Sequence, residues 1–388
     1  MNVMNNFNFY NPTRILFGKD QIKNIGRHIP PNSKILITYG GGSVKKFATF
    51  NQVMDALPGY EIFEFGGIEA NPQFNTLMKA VTLAKEKNID FILAVGGGSV
   101  MDGTKFIALA MHYDGNPEDL LYDGKKVSQI ATATPFGTVV TLPATGSEMN
   151  SGAVISHNHG KFVVGSPLVF PKFSVLDPTL TYSLPETQVA NGIIDTFIHV
   201  TEQYVTYPVE ARFQDRTAEG ILQTLIEIGP LTLKNPTDYD LRANLVWCAT
   251  MGLNGLIGAG VPQDWSTHMI GHELTAAFGI DHGKTLAIIQ PASWRILKEQ
   301  KYAKLLQFSE RVWHIQAGTD DEKIDQAIEK TQAFFESLGV KTHLSDYSLT
   351  HSDIDLLINA LEKHGLTALS ESRAVNLDVS RKILEAAF

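Results

Sequence analysis

Two rhythms of apolar and polar positions divide the first half of the chain. Short runs that are apolar almost throughout, TRILF ending at Phe17, KILITY ending at Tyr39, YEIFEF ending at Phe65 and FILAV ending at Val95, alternate with stretches whose apolar residues recur at helical spacing. The runs predict strands. The stretches predict helices over Gln21–Arg27, from the second strand to about Leu57, and over Asn75–Lys87. Strands apolar on both faces fit a parallel sheet covered on both sides. Residues 152–177 read as a β-hairpin, turning at 157–160, and a further strand. From about Pro185 the pattern is helical nearly throughout, so a boundary falls near Leu180–Leu184. The expected organisation is an α/β domain over residues 1–182 and an all-helical domain over residues 183–388.

Composition narrows the classes of partner. With 388 residues and 44% hydrophobic content the chain has material for two cores. A formal charge of −9 disfavours nucleic acid and anionic membranes and leaves small molecules open. The single cysteine, Cys248 in LVWCATMGL, has no internal disulfide partner and reads as core packing. No charged-then-apolar leader opens the chain and no run of ~18 apolar residues occurs in it, so a soluble cytoplasmic protein is expected.

Two of the predicted strands are followed by the same four residues. Gly40-Gly41-Gly42-Ser43 follows KILITY and Gly96-Gly97-Gly98-Ser99 follows FILAV, each leading toward a helix. Glycines at a strand's carboxyl end let a ligand approach the backbone, and the next helix offers unpaired N–H groups to a phosphate. Neither copy is G-x-G-x-x-G, and a single such turn is often only a turn. Two at strand ends point to phosphate binding. Asp102 and Lys105 come next on one helix face near the expected pyrophosphate, where a surface ion pair is the plain alternative. Further on, TVVTLPATGSEMN sets Thr141, Thr145, Ser147, Glu148 and Asn150 on a strand end and hydroxyl-rich loop, and Lys161 lies just past the hairpin turn.

The helical half carries the candidate metal chemistry. NGIIDTFIH sets Asp195 and His199 four residues apart on one helix face, and HMIGHELTAAFGIDHG adds His268, His272 and His282. One Asp with two or three His forms a ligand set for zinc or ferrous iron. A lone histidine on an apolar face is usually a satisfied core residue, whereas four histidines and an aspartate with two i,i+4 pairs are harder to explain that way. The H-E-x-x-H pattern of a zincin is absent, since Glu273 comes after the second histidine of its pair. Glu202, one turn past His199, is either an imidazole's hydrogen-bond partner or a solvated helix residue.

Taken together, GGGSVMDGTK, TLPATGSE, LPETQVANGIIDTFIHVTE and HMIGHELTAAFGIDHG resemble the iron-containing (group III) alcohol dehydrogenase family in order and spacing over essentially the whole chain. YGGGSVKK, TLPATGSE and GAGVPQDW are similar to its bacterial branch of NADPH-dependent aldehyde reductases and butanol dehydrogenases. The resemblance implies a Rossmann-like α/β domain, an all-helical C-terminal domain and an active site between them. It implies metal ligands at Asp195, His199, His268 and His282, with His272 as a further pocket histidine. It also implies cofactor contacts at Gly97, Gly98 and Ser99 for the diphosphate, at Thr141 and Thr145 near the riboses, and at Asp102, Asn150 and Lys161. Homodimers are common in the family, and TRILF is a candidate edge strand for one.

Two positions depart from the usual family pattern. Thr196 replaces an alanine beside the ligand aspartate and is expected to point away from the metal. Gly40 stands where NAD-preferring members tend to carry an aspartate. A carboxylate there would repel a 2′-phosphate, whereas Gly40, Gly41, Gly42 and Ser43 leave room and N–H donors for it, with Lys45 and Lys46 nearby. NADP(H) is therefore expected, with one divalent metal, zinc ahead of iron. The implied reaction is reduction of short- to medium-chain aldehydes to primary alcohols, with His272 as candidate proton relay and Asp102 as a second catalytic candidate; Trp265 and Phe278 read as pocket lining, with core packing the plain alternative. Two alternatives stay open on sequence alone, a dehydroquinate-synthase-like lyase and a metal-dependent hydrolase.

Overall fold

The apolar strands do assemble as a parallel sheet. A computed structural model describes residues 3–388. In it β1 (Arg14–Phe17), β2 (Lys34–Tyr39), β3 (Glu61–Phe65), β4 (Phe91–Gly96), β5 (Phe136–Val140) and β8 (Phe173–Leu176) form six strands in the order β1-β8-β5-β4-β2-β3. Neighbours run parallel, with Ile37 beside Leu93 and Leu93 beside Gly137. Alternate residues feed two separate cores. Ile35, Ile37, Phe91, Leu93 and Val95 pack on one face. Leu36, Ile92 and Ala94 pack on the other, against helices α3 (Phe74–Glu86) and α4 (Gly98–Ala110). Burial on both faces is why these strands carry no polar alternation.

Between β5 and β8 the predicted hairpin forms from β6 (Gly152–His157) and β7 (Gly160–Gly165), paired antiparallel. The stretch after β2 departs from the expected single helix. It breaks into α1 (Ser43–Lys46) and α2 (Thr49–Asp55), because Ala48 takes a left-handed conformation with φ 63° that no continuous right-handed helix accommodates. Two further short helices, α5 (Asp119–Tyr122) and α6 (Gly124–Ser128), precede β5.

Contacts divide the chain into two compact units. One comprises Tyr10–Leu184 together with Thr237–Thr250, so most of a helix from the second half belongs with the sheet. Val246 of that segment sits in the core beside α3 and α4, and burial pushes the Cys248 thiol up to about 12. The other unit holds the segment ending at Phe9, Pro185–Pro236 and Met251–Phe388.

The second unit is built from α7 (Glu186–Tyr204), α8 (Arg212–Lys234), the end of α9 (Tyr239–Gly252), α10 (Ser266–Phe278), α11 (His282–Ile296), α12 (Tyr302–Arg311), α13 (Asp320–Ser337), α14 (Asp353–Lys363) and α15 (Leu377–Ala386). Apart from a small antiparallel pair, β9 (Ala368–Leu369) and β10 (Val375–Asn376), it is helical. Its core joins Ile270 and Leu274 of α10, Ile288, Ile289 and Ala292 of α11, and apolar residues of α14 and α15. No helix among the described residues is long and apolar enough to cross a membrane.

Candidate active site

Helices α7, α10 and α11 approach one another closely because glycine removes the side chains that would hold them apart. A Cβ on Gly283, at the start of α11, would lie 2.7 Å from the Asn191 carbonyl oxygen and 2.8 Å from its Cα on α7. A Cβ on Gly271 of α10 would lie 2.9 Å from Thr285 Oγ1 of α11. Both are contacts that only glycine permits. The consequence is convergence of side chains that are far apart along the chain.

Asp195 Oδ1 stands at the centre of that convergence. His199 Nε2 and His268 Nε2 each lie 3.4 Å from it, and His282 Nε2 lies 3.5 Å from it. One ligand atom from each of Asp195, His268 and His282 fits within a 4.8 Å span. A tetrahedron with metal–ligand bonds of about 2.1 Å has edges of about 3.4 Å, so the spacing suits one small divalent cation. The hydrogen bonding supports the same conclusion. Asp195 Oδ1 and His268 Nε2 are buried and neither has a hydrogen-bond partner, a state that costs free energy unless something binds there.

Electrostatics prepare the donors for a cation. Burial would raise the Asp195 carboxyl, but His199, His268 and His282 around it hold it well below its ordinary value. Burial would likewise lower the His268 imidazole, yet Glu202 and Asp195 raise it to about 9. Glu202 is buried and accepts from the His268 backbone N–H at 3.2 Å, while its second oxygen meets Nδ1 of the same ring. Glu202 keeps a proton on Nδ1 and Nε2 turned toward Asp195, so a cation that displaces the Nε2 proton finds the ligand tautomer already selected. Glu202 is thus an imidazole partner and not a solvated residue.

His272 joins the cluster at one remove. Its ring centroid is 5.0 Å from that of His282 and 6.0 Å from that of His268. Trp265 stands edge-on to His268 at 5.5 Å and to His199 at 6.2 Å. Phe278 instead packs against the core of the helical unit, because it lies on the α10 face that meets Leu274. Thr196 donates to the Gly192 carbonyl at 2.9 Å, along its own helix.

In the α/β unit the two GGGS turns differ in kind. After β4, Gly97 precedes the thirteen-residue helix α4, whose N-terminal N–H groups open at the strand end. Here the glycines are required by packing: a Cβ on Gly98 would lie 2.4 Å from Thr145 Cγ2, and one on Gly96 would lie 2.6 Å from Val100 Cγ2. Ser99 Oγ donates to the Ala70 carbonyl. After β2 the turn leads only into the four-residue α1, and Cβ atoms on Gly41 and Gly42 would meet nothing within 4 Å. That backbone is open to a ligand. Lys45 is paired with Glu64 at 2.6 Å, and its ammonium lies over the Tyr39 and Phe50 rings.

Behind the second turn lies a buried polar network. Ser147 Oγ donates to Asp102 Oδ1 at 2.6 Å, and the Val154 N–H donates to Asp102 Oδ2 at 2.8 Å. Lys105 is fully buried and donates to Ser147 Oγ, Asn150 Oδ1 and the Gly152 carbonyl, each at 2.8 Å. Thr250 donates to the buried Glu148 at 2.6 Å. Asp102 and Lys105 are therefore no surface pair: they organise residues 147–154, and Lys105 is a determinant that its helical spacing did not reveal. Thr141 N–H bonds the Gly96 carbonyl at 2.9 Å, Thr145 Oγ1 accepts from Ser147 N–H at 3.2 Å, and Lys161 Nζ donates to Asn71 Oδ1 at 3.0 Å.

The iron-containing alcohol dehydrogenase family matches residues 12–178, and the C-terminal part of the Fe-containing alcohol dehydrogenase family matches residues 189–388. The chain belongs to the iron-containing alcohol dehydrogenase family. Among its relatives, the NADPH-dependent aldehyde reductase YqhD of Escherichia coli (strain K12) is 59% identical over 99% of this chain and 100% of that one. The NADH-dependent butanol dehydrogenase B of Clostridium acetobutylicum is 38% identical over 96% of this chain and 97% of that one. Of solved structures in the family, the substrate- and cofactor-free aldehyde reductase YqhD superposes with a TM-score of 0.93 at 57% identity, covering 99% and 100% of the two chains. The NADH-dependent butanol dehydrogenase A of Thermotoga maritima superposes with a TM-score of 0.94 at 33% identity, covering both chains fully.

Proposed function

We propose that this member of the family is an aldehyde reductase that oxidises NADPH and converts short- to medium-chain aldehydes to primary alcohols. The observation that carries the reading is the set of three imidazole Nε2 atoms 3.4–3.5 Å from one buried carboxylate oxygen. Asp195, His199, His268 and His282 are assigned as ligands of one divalent cation. Zinc is favoured because donors without thiolate at tetrahedral edge lengths suit it, while the family's name points to iron. When bound, such a cation acts as a Lewis acid that polarises a carbonyl, and the nicotinamide supplies the hydride.

The chain's own residues account for the remaining steps. Glu202 keeps the His268 ring oriented with Nε2 toward Asp195. His272, beside His282, is assigned to hand the proton to the product alcohol, since an imidazole can release a proton from one ring nitrogen and take one up at the other. Trp265 forms an apolar wall beside His199 and His268. Gly97, Gly98 and Ser99 are assigned to the cofactor diphosphate at the start of α4, with Thr141, Thr145, Asn150 and Lys161 along its course. Asp102 is reassigned from a catalytic to a supporting part, because Ser147 Oγ and the Val154 N–H take up both of its oxygens.

The preference for NADPH rests on the open backbone of Gly41 and Gly42 and on a glycine, in place of a carboxylate, at position 40, and the name of the Escherichia coli relative agrees. The working form proposed is a cytoplasmic homodimer. Its support is the position of β1 at the sheet edge, with Phe17 and Trp247 side by side and both partly exposed. Elemental analysis of purified protein, joined to NADPH and NADH assays over an aldehyde series, tests the whole reading. Stoichiometric metal and net NADPH oxidation with butanal are expected. A lyase or a hydrolase consumes no NADPH, and that outcome overturns the assignment.

A further inference from the structure

Two of the ligand-bearing helices, α7 and α10, are also tied together at a second point, a single buried ammonium. Lys301 comes after the loop leaving α11, its N–H bonded to the Leu297 carbonyl at 3.0 Å, and it opens α12. Its Nζ donates to the Val205 carbonyl at the end of α7 at 3.0 Å, to Asp264 Oδ2 just before α10 at 2.8 Å, and to both oxygens of Glu371 at 3.2 Å. The Lys301 side chain is 3% exposed and those of Asp264 and Glu371 are 6% exposed. An apolar contact of the same volume would hold these segments together at least as well as a desolvated ion pair. What the charges add is direction.

Asp264 passes that direction on to the site. Its Oδ1 accepts the Ser266 N–H at 2.9 Å and so fixes the first turn of α10, while its own N–H donates to the Glu202 carbonyl at 2.8 Å. Glu202 in turn holds the His268 ring. Glu371, also bonded to the Tyr207 N–H at 3.0 Å, closes the far side of the ammonium. We propose that Lys301 is a positioning residue for the metal centre: by tying the end of α7 to Asp264, which bonds the first residue of α10, it sets the register in which Glu202 meets His268 and His268 meets Asp195. This rests on the reading of Asp195 and its three histidines as metal ligands.

Cobalt(II) added to metal-free full-length protein tests it, because its visible d–d bands report coordination geometry. Lys301→Met removes the ammonium at similar length, and Asp264→Asn keeps the Ser266 cap but turns an amide N–H toward Nζ. Each variant is expected to weaken cobalt(II) binding about 10-fold and to change the shape of its bands, while NADP⁺ affinity stays as in the parent. A purely structural role lowers the melting temperature of the metal-free protein and leaves the band shape of folded molecules alone. Should Lys301→Met not fold, Asp264→Asn gives the same reading. Unchanged cobalt(II) bands and affinity in the folded variants overturn the proposal alone, whereas no cobalt(II) band in the parent overturns the metal reading beneath it.

Discussion

Glu202 grips His268 twice, through the backbone N–H at 3.2 Å and through ring Nδ1, so one carboxylate fixes both where the helix starts and how the imidazole is turned. Replacing it with glutamine keeps an acceptor but removes the charge that favours a proton on Nδ1. Glu202→Gln is therefore expected to fold and to hold its metal about 10- to 100-fold more weakly. Competition with a chromophoric chelator measures this directly. Unchanged affinity would show that the tautomer of His268 does not depend on its neighbour's charge.

The closeness of α7 and α11 depends on one missing side chain. In Gly283→Ala the new Cβ meets backbone atoms of Asn191 at 2.7 and 2.8 Å, and backbone cannot swing aside as a side chain can. The start of α11 must shift, carrying His282 away from Asp195. The expected outcome is a destabilisation of about 1–3 kcal/mol with metal content well below one ion per chain. Thermal melts and elemental analysis of the same sample check both parts. Full metal content in a stable Gly283→Ala protein counts against His282 as a ligand.

How much of the fold and site was legible in the letters depends on whether the information was local. The sheet was, because a strand buried on both faces is apolar nearly throughout, and FILAV at every position and KILITY over Ile35, Leu36 and Ile37 satisfy that without reference to anything else. Asp195 and His199 were, because a four-residue spacing puts them on one face. The role of Glu202 stayed open, since the residue that decides it, His268, lies on another helix. For Lys105 a surface pair stayed open beside a place near the pyrophosphate, because spacing along α4 says nothing about whether a helix face turns inward. The two GGGS turns look identical in sequence, and only the segment after each distinguishes them: a long helix after Gly98, and a left-handed break at Ala48 after the first.

Lys105 makes a prediction about alkaline pH. Complete burial lowers its pKa from 10.5 to about 8, against the pull of Asp102 and Glu148. Below about 8 the lysine is charged in both the folded and unfolded chains, and the fold bears the full penalty. Between about 8 and 10.5 the unfolded chain still binds the proton while the folded one has released it, so stability rises with pH. The gain is about 3 kcal/mol across that window. Urea unfolding of the parent and of Lys105→Met at successive pH values reads it as a difference, in which the titrations of groups remote from Lys105 cancel. A difference between the two proteins that stays flat from pH 8 to 10.5 shows that Lys105 keeps its proton in the fold.

The cofactor assignment turns on the end of β2. Gly40 has no positive φ, and a Cβ there would lie 3.3 Å from the Ile68 carbonyl oxygen and 3.7 Å from Val100 Cγ2, so an L-residue fits after a shift of a few tenths of an ångström. An aspartate at this position adds a carboxylate beside the open backbone of Gly41 and Gly42. Two like charges a few ångströms apart repel by ~1 to 4 kcal/mol near a protein surface, whereas a ribose 2′-hydroxyl gains an acceptor. Gly40→Asp is thus expected to lower the ratio of kcat/KM for NADPH over NADH by about 10-fold or more. Gly42→Ala is the control, since φ is +96° there and the strain of a side chain at such an angle, ~1–2 kcal/mol, bears on both cofactors alike. Steady-state kinetics with each nucleotide at fixed aldehyde separate the two effects. If Gly40→Asp leaves the ratio unmoved, the 2′-phosphate does not lie at this turn.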